Sequence, residues 1–407
     1  MITEILLKLR QFFYMAITII VFLITVIRFC ETEEKISLDL MIKEVKENNP
    51  EIKMLHNKYL ATKQKITTVK TWEYPQLGFE TSNTEQMYSI SQMLSFPGKL
   101  SLRGKVAENE SKITEQELNS KIREVVTMVK KTYWSYWLID KTIDIYQENI
   151  DLMKRFLNIA QTQYAIGKVT QIDILKANTE LVEMENMLVT LEQEKTSVQA
   201  ELNALLNRKP EIPLGKPVQP EQKEIKYTYE ELENITLKNS PEIKSKEFLY
   251  QRNISAVNLS KREWYPDIMS GMKIDNMSNR TFMAQIVVPL YYKKQSSIVE
   301  MSKREKDIAE WELQTTKITT FKELKDLLAK YESRKKSIQI YETNIIPLVK
   351  QTLKITETGY KIGKNDFLDL LDSQKRYLEY NINYYRYLAE KEIFLSELER
   401  VVGIDFE

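Results

Sequence analysis

The sequence predicts a mainly α protein with a small β part, built as two copies of a long helical hairpin that each carry one β-hairpin. Three observations lead there. The stretch YAIGKVTQIDIL at 164–175 returns as YKIGKNDFLDLL at 360–371, 196 positions later, so the chain is an internal duplication. Only 9 Gly and 11 Pro punctuate 407 residues, which favours very long unbroken helices. One short segment in each copy changes from a helical period to a period of two, the mark of strands.

Composition narrows the function before any motif does. Lys+Arg at 59 against Asp+Glu at 58 give a formal charge of +1 with the signs interspersed, so no nucleic-acid partner is expected. A single cysteine, Cys30, and a single histidine, His56, supply neither a disulfide framework nor a Cys/His metal site within one chain. His56 reads as a polar helix position, and no metal site or cofactor is expected. There is no phosphate-binding loop and no GxSxG elbow, so the chain is not expected to be an enzyme.

At the N-terminus, Lys8 and Arg10 precede an apolar run from Phe12 to Ile27, which predicts a signal peptide over 1–30 and an exported chain. An uncleaved anchor is the alternative, since a spanning helix needs about 20 apolar residues. Cys30 stands where a lipoprotein carries its acylated cysteine. Ile27, Arg28 and Phe29 are too large for that signal, so lipidation is weighed against an incidental cysteine.

The first repeat, 37–209, opens with a helix interrupted near Asn49-Pro50. Its counterpart opens the second repeat, 228–403, where KNSPEIK echoes ENNPEIK. Hairpins are expected at 75–96 and 266–289. Leu77, Phe79, Tyr88 and Ile90 in one, and Ile268, Met272, Phe282 and Ile286 in the other, alternate with small polar residues. Strands of about 10 residues suit a tilted transmembrane strand, and two hairpins are too few to close a barrel, so closure requires several chains. A soluble four-stranded sheet packed on helices is the alternative.

Behind each hairpin comes a helix of about 65 residues, roughly 100 Å long. Its apolar line runs through Tyr146, Ile150, Met153, Leu157, Ala160 and Tyr164 in the first copy. In the second it runs through Ile338, Tyr341, Ile345, Leu348, Thr352, Ile355 and Gly359, with Pro347 expected to bend the helix. Tyr133, Trp134, Tyr136 and Trp137 read as packing between helices rather than as a membrane-surface belt. Tips at 164–170 and 360–366 lead into shorter return helices, and a linker at 210–227 joins the repeats. The first return helix is expected to stack end to end with the helix after the linker, and the C-terminal helix with the N-terminal one.

Local physics accounts for much of each tip. Gly167 and Gly363 stand where a left-handed residue ends a helix, and Thr170-x-x-Asp173 and Asp366-x-x-Asp369 read as caps of the next one. Capping alone would explain both Asp173 and Asp369.

An exported chain with a duplicated helix-hairpin-helix order and tips of the form Tyr-x-x-Gly-x-x-x-x-x-Asp resembles the TolC family of bacterial outer-membrane efflux proteins over about 37–403. SFPGKLSLRGKVAENE at 95–110 and LNALLNRKPEIPL at 202–214 resemble segments of that family, the former in its heavy-metal efflux branch. The resemblance implies a homotrimer with a 12-stranded barrel in outer-membrane lipid, continued by a periplasmic α-barrel. It implies a passive exit duct that docks on a periplasmic adaptor (membrane fusion) protein and through it on an inner-membrane pump. The docking residues would be Gly167, Lys168, Val169, Gly363, Lys364 and Asn365.

The family's acidic constriction matches Asp369 and Asp372, with a solvated helix face as the other account of Asp372. Its closed-state tyrosine matches Tyr360, whose hydrogen-bond partner would be Asp173. The family's basic partner falls on Asn365, which forms no ion pair, and Arg376 is a candidate substitute. The counterpart of Asp372 in the first copy is Lys176. A soluble periplasmic coiled-coil scaffold or adaptor is the competing function.

Overall fold

A computed structural model describes residues 36–406, apart from 83–84, 222 and 276–278. The expected signal peptide and Cys30 lie outside the described residues. The first repeat runs α1 (Leu38–Asn48), α2 (Pro50–Lys70), β1 (Gln76–Thr81), β2 (Gln86–Leu94), α3 (Lys99–Ala165) and α4 (Gln171–Leu205). The second repeats the order as α5 (Tyr229–Asn239), α6 (Pro241–Arg262), β3 (Asp267–Asp275), β4 (Asn279–Val287), α7 (Tyr292–Ile340), a π-helical turn (Tyr341–Ile345), α8 (Ile346–Lys361) and α9 (Phe367–Val402).

Both X-Pro sites are full helix breaks. The proline ring excludes the preceding residue from the helical region, and Asn49 is extended at φ −62° and ψ 126°. Its Oδ1 accepts from the Glu51 and Ile52 N–H groups at 2.9 and 3.3 Å, so the breaking residue also caps α2. Ser240 stands in the same place before Pro241.

The two hairpins join into one antiparallel sheet, ordered β1-β2-β3-β4, in which β2 and β3 pair across the repeats from Met87 with Asp275 to Leu94 with Ile268. Cross-strand rows sort the faces. Leu77, Ile90, Met272 and Phe282 form one row, and Phe79, Tyr88, Ile274 and Arg280 another on the same face. Gly78, Ser89, Lys273 and Thr281 lie on the opposite face. The apolar face is the open one, with Leu77 and Phe282 each 81% exposed, whereas Ser89, Ser91 and Lys273 are half-buried. No helix covers the apolar face, which is the physical failure of the soluble-sheet alternative. The outer strands β1 and β4 each leave one edge unpaired.

α3 is continuous over 67 residues, about 100 Å at helical rise. Its counterpart is interrupted by the π turn at Tyr341–Ile345, directly before Pro347. Proline donates no N–H and its ring crowds the carbonyl four residues back, and a locally widened helix accommodates both. The widening has a second effect, because it rotates everything downstream. Past the turn, the sheltered line is Val349, Leu353, Thr356 and Tyr360, one residue later than the expected seam, and Leu348 and Ile355 face outward.

The return helices stack differently from expectation. α4 ends against the α1–α2 junction, where Asn49 Nδ2 donates to the Leu205 carbonyl at 3.2 Å and Leu202 and Leu206 join Met41, Val45 and Ile52 in one core. α9 ends against α5, with Leu395, Leu398, Val401 and Val402 packed on Leu232 and Tyr331. Each return helix thus stacks within its own repeat. The linker between the repeats runs along the side of α3. Tyr133 donates to the carbonyls of Val218 and Ile36 at 2.6 and 3.0 Å, and Tyr136 donates to that of Leu214 at 3.3 Å.

The aromatic cluster is core, as the sequence suggested. Trp134 and Trp137 meet edge to face at 5.2 Å and pack on Leu388 and Ala389 of α9. Burial pushes the Tyr133 and Tyr136 hydroxyls up to about 12. Tyr133→Phe leaves the Val218 and Ile36 carbonyls without this donor, and an exchange of a buried hydrogen bond of this kind predicts a loss of about 1 kcal/mol. Denaturant unfolding of the detergent-solubilised protein reads it. An unchanged midpoint would show that the linker is held by other contacts.

Candidate functional site at the hairpin tips

The two tips share one backbone. α3 ends with Gly167 at φ 73°, whose N–H donates to the Tyr164 carbonyl at 2.9 Å, while Lys168 N–H reaches the Gln163 carbonyl at 2.9 Å. α8 ends with Gly363 at φ 73°, donating to Tyr360 at 3.1 Å, and Lys364 N–H reaches Gly359 at 2.8 Å. That is the left-handed closure in which a side chain would be strained. Gly167, Lys168, Gly363 and Lys364 are exposed at the extreme end of their hairpins. Val169 and Asn365 are only half-buried neighbours of that surface. Asn365 folds back so closely over Gly359 that a Cβ there would stand 2.1 Å from its Oδ1.

The caps differ, and the difference reaches the acidic residues. In the first tip, Asp173 reaches back and accepts from Thr170 N–H at 3.2 Å and from its hydroxyl at 3.4 Å. In the second, Asp366 at the cap reaches forward and accepts from Asp369 N–H at 2.8 Å. Asp173 is therefore occupied by capping. The Asp369 carboxylate makes no ion pair or hydrogen bond among the described residues, and it is exposed. One turn on, Asp372 pairs with Arg376, Oδ2 to Nε at 2.8 Å, on the same exposed face of α9.

Tyr360 and its counterpart Tyr164 are in opposite environments, 2% and 47% exposed. Tyr360 lies edge to face with Phe367 at 5.6 Å and joins Phe156, Ala177, Leu353 and Leu370 in the core of the tip. In the first copy the counterpart of Phe367 is the exposed Gln171. The Tyr360 hydroxyl has no hydrogen-bond partner, so the expected bond to Asp173 is not formed. The two groups do sense each other. Burial pushes the Tyr360 hydroxyl up to about 12, and the Asp173 carboxylate adds to the shift.

Other contacts join the two hairpins near this end. Gln163 Nε2 donates to the Lys361 carbonyl at 3.0 Å, Lys375 of α9 pairs with Glu180 of α4 at 2.6 Å, and Gln374 donates to Asn149 of α3 at 3.1 Å in the buried interior. Sequence reasoning missed Phe367 and these three pairs. It also missed Ile166 with Ile362 and Ile172 with Leu368, two exposed apolar pairs separated by the repeat offset of 196 and so visible in the duplication.

Comparison with known proteins places this architecture. A model of the outer membrane efflux protein family matches residues 41–208 and 232–403. The cobalt-zinc-cadmium resistance protein CzcC of Cupriavidus metallidurans is 22% identical over 330 residues, 77% of either chain. The crystal structure of CusC superposes with a TM-score of 0.80 at 16% identity, covering 91% of this chain and 93% of that one. The Campylobacter jejuni CmeC outer membrane channel gives 0.78 at 14% identity, covering 91% and 86%. With both repeats matched, the chain belongs to the outer membrane efflux protein family and is an outer-membrane exit duct whose helices extend into the periplasm.

Proposed function

We propose that three copies close one 12-stranded barrel and one helical tunnel, and that the tips form its periplasmic mouth. The observation that carries this reading is what the single chain leaves unpaired. The sheet has two free edges and an open apolar face. α4 bears the exposed residues Leu175, Val182 and Val189 at intervals of seven, and α8 bears Leu348 and Ile355 at the same interval. Such stripes are coiled-coil seams that lack a partner. The α4 stripe of one copy meeting the α8 stripe of the next would cover both, while β1 of one copy beside β4 of the next closes the sheet.

In this reading the duct is passive, and its energy comes from an inner-membrane pump reached through a periplasmic adaptor at Gly167, Lys168, Gly363 and Lys364. Asp369 and Asp372 would ring the narrow end, and Tyr360 with Asp173 would lie behind them. The likeness to CzcC over both repeats, together with the 95–110 segment, supports divalent metal ions as cargo.

The experiment is extraction of the full chain from outer membranes in mild detergent, followed by mass measurement. A trimer is the expected result, and a freely soluble monomer in the periplasmic fraction would overturn the reading. For the mouth, single cysteines at Lys168 and Lys364 are expected to cross-link to a periplasmic adaptor, whereas a cysteine at Thr281 is not.

A further inference from the structure

We infer that Arg376 lowers the negative charge of the mouth, by pairing with Asp372 on the same face of α9 while Asp369 and Glu379 along that line make no ion pair among the described residues. The inference rests on the reading of that face as the pore lining and goes beyond it, since a mouth lined by acids alone becomes one of acids and a base.

The geometry is specific to this stripe. Residues 369, 372 and 376 are spaced by three and four, so they rise along one line of the helix. Asp369, Asp372 and Arg376 are all exposed, while the opposite side of the same turns is buried through Leu370, Ser373, Gln374 and Leu378. The neighbouring base is directed elsewhere, because Lys375 is held by Glu180 of α4 at 2.6 Å. Arg376 alone of the two is turned to the free face, with its Nε 2.8 Å from Asp372. The exposed Glu379, three residues beyond Arg376 and seven beyond Asp372, continues the same line as a further acid.

In isolation an exposed i,i+4 pair contributes little to stability. Its effect at a constriction is different, because there the fixed charges of three chains add and water is scarce. With Arg376, each chain brings two net negative charges to the stripe of Asp369, Asp372, Arg376 and Glu379 rather than three, which weakens the field a passing ion meets. Like-charge repulsion between neighbouring copies is relieved at the same step. The mouth then attracts cations without holding a divalent cation tightly.

The test uses the full-length protein, reconstituted in planar bilayers, in four forms: wild type, Arg376→Gln, Arg376→Lys, and the double variant Asp369→Asn with Asp372→Asn. The readouts are the K+ over Cl− permeability ratio and the MgCl2 concentration that halves the current. Arg376→Gln is expected to raise the ratio by about twofold or more and to lower the half-blocking Mg2+ concentration by a similar factor. Arg376→Lys is expected to match wild type, and the acid double variant to lose cation preference. If the double variant loses its preference while Arg376→Gln matches wild type, the role given to Arg376 is wrong and the acidic mouth stands. If Arg376→Lys departs from wild type as far as Arg376→Gln does, geometry rather than charge is at work and the inference is overturned. If neither the double variant nor Arg376→Gln changes either readout, the acidic mouth itself is wrong and the inference goes with it.

Discussion

Phe282→Arg is expected to keep the protein out of the outer membrane. Phe282 lies near the middle of β4, at the end of the row Leu77, Ile90, Met272 and Phe282, and its side chain is 81% exposed on a face that nothing in the chain covers. If that face meets lipid, a guanidinium there costs about 2–4 kcal/mol near the bilayer midplane, and each copy in an assembly carries the same cost. Thr281→Arg, one residue away, points to the small polar face with Ser89 and Lys273 and is expected to insert normally. Outer-membrane fractionation of the two variants checks this directly. Equal insertion of both would mean that the apolar face is not the lipid face.

The period-two pattern made that face legible from the sequence, because alternation fixes which side chains share a face regardless of partner. The same pattern did not disclose that β2 would pair with β3. That pairing is between repeats and follows from α3 and α6 lying side by side, which delivers both hairpins to one end. The long helices, the tips and the caps were equally legible, since glycine at φ 73° and acids in a first turn are local requirements.

What the sequence hid were effects of phase and path. Apolar residues recur by three and four from Ile338 through Ile355, and nothing in that spacing announces an extra residue at the π turn. Once Pro347 widens the helix, the inward line passes to Val349 and Leu353, and Leu348, Thr352 and Ile355 of the expected seam become exposed while Gly359 stays buried. The stacking of the return helices was hidden for another reason. It is made by contacts between residues far apart in the chain, such as Asn49 with Leu205 and Leu232 with Leu398, which no local spacing discloses. In the site, the acids were found by their match to a family pattern. The Asp372–Arg376 pair was readable from i,i+4 spacing alone, whereas the bare state of Asp369 depends on which residue of the cap reaches for which.

Phe367→Ala is expected to loosen the second tip and the core it shares with the first. Phe367 is 2% exposed, with its ring edge to face on Tyr360, and a Phe→Ala change in such a core typically costs about 3–5 kcal/mol. The core around Tyr360 is shared with Phe156 of α3 and Ala177 of α4, so the loss should appear as faster hydrogen exchange over 353–378 and over the turns of the first repeat that face it, rather than as global unfolding. Gln171→Ala at the equivalent place is exposed and should change stability by no more than about 0.5 kcal/mol. Tyr360→Phe separates packing from hydrogen bonding at the same position. Its hydroxyl is buried without a partner and senses the Asp173 carboxylate, so removing it is expected to be neutral or stabilising by about 1 kcal/mol. A tip held shut by a Tyr360–Asp173 hydrogen bond would instead loosen with Tyr360→Phe as it does with Phe367→Ala. Hydrogen exchange on the two variants therefore decides whether the second tip is held by a polar latch or by the aromatic pair that only the second copy possesses.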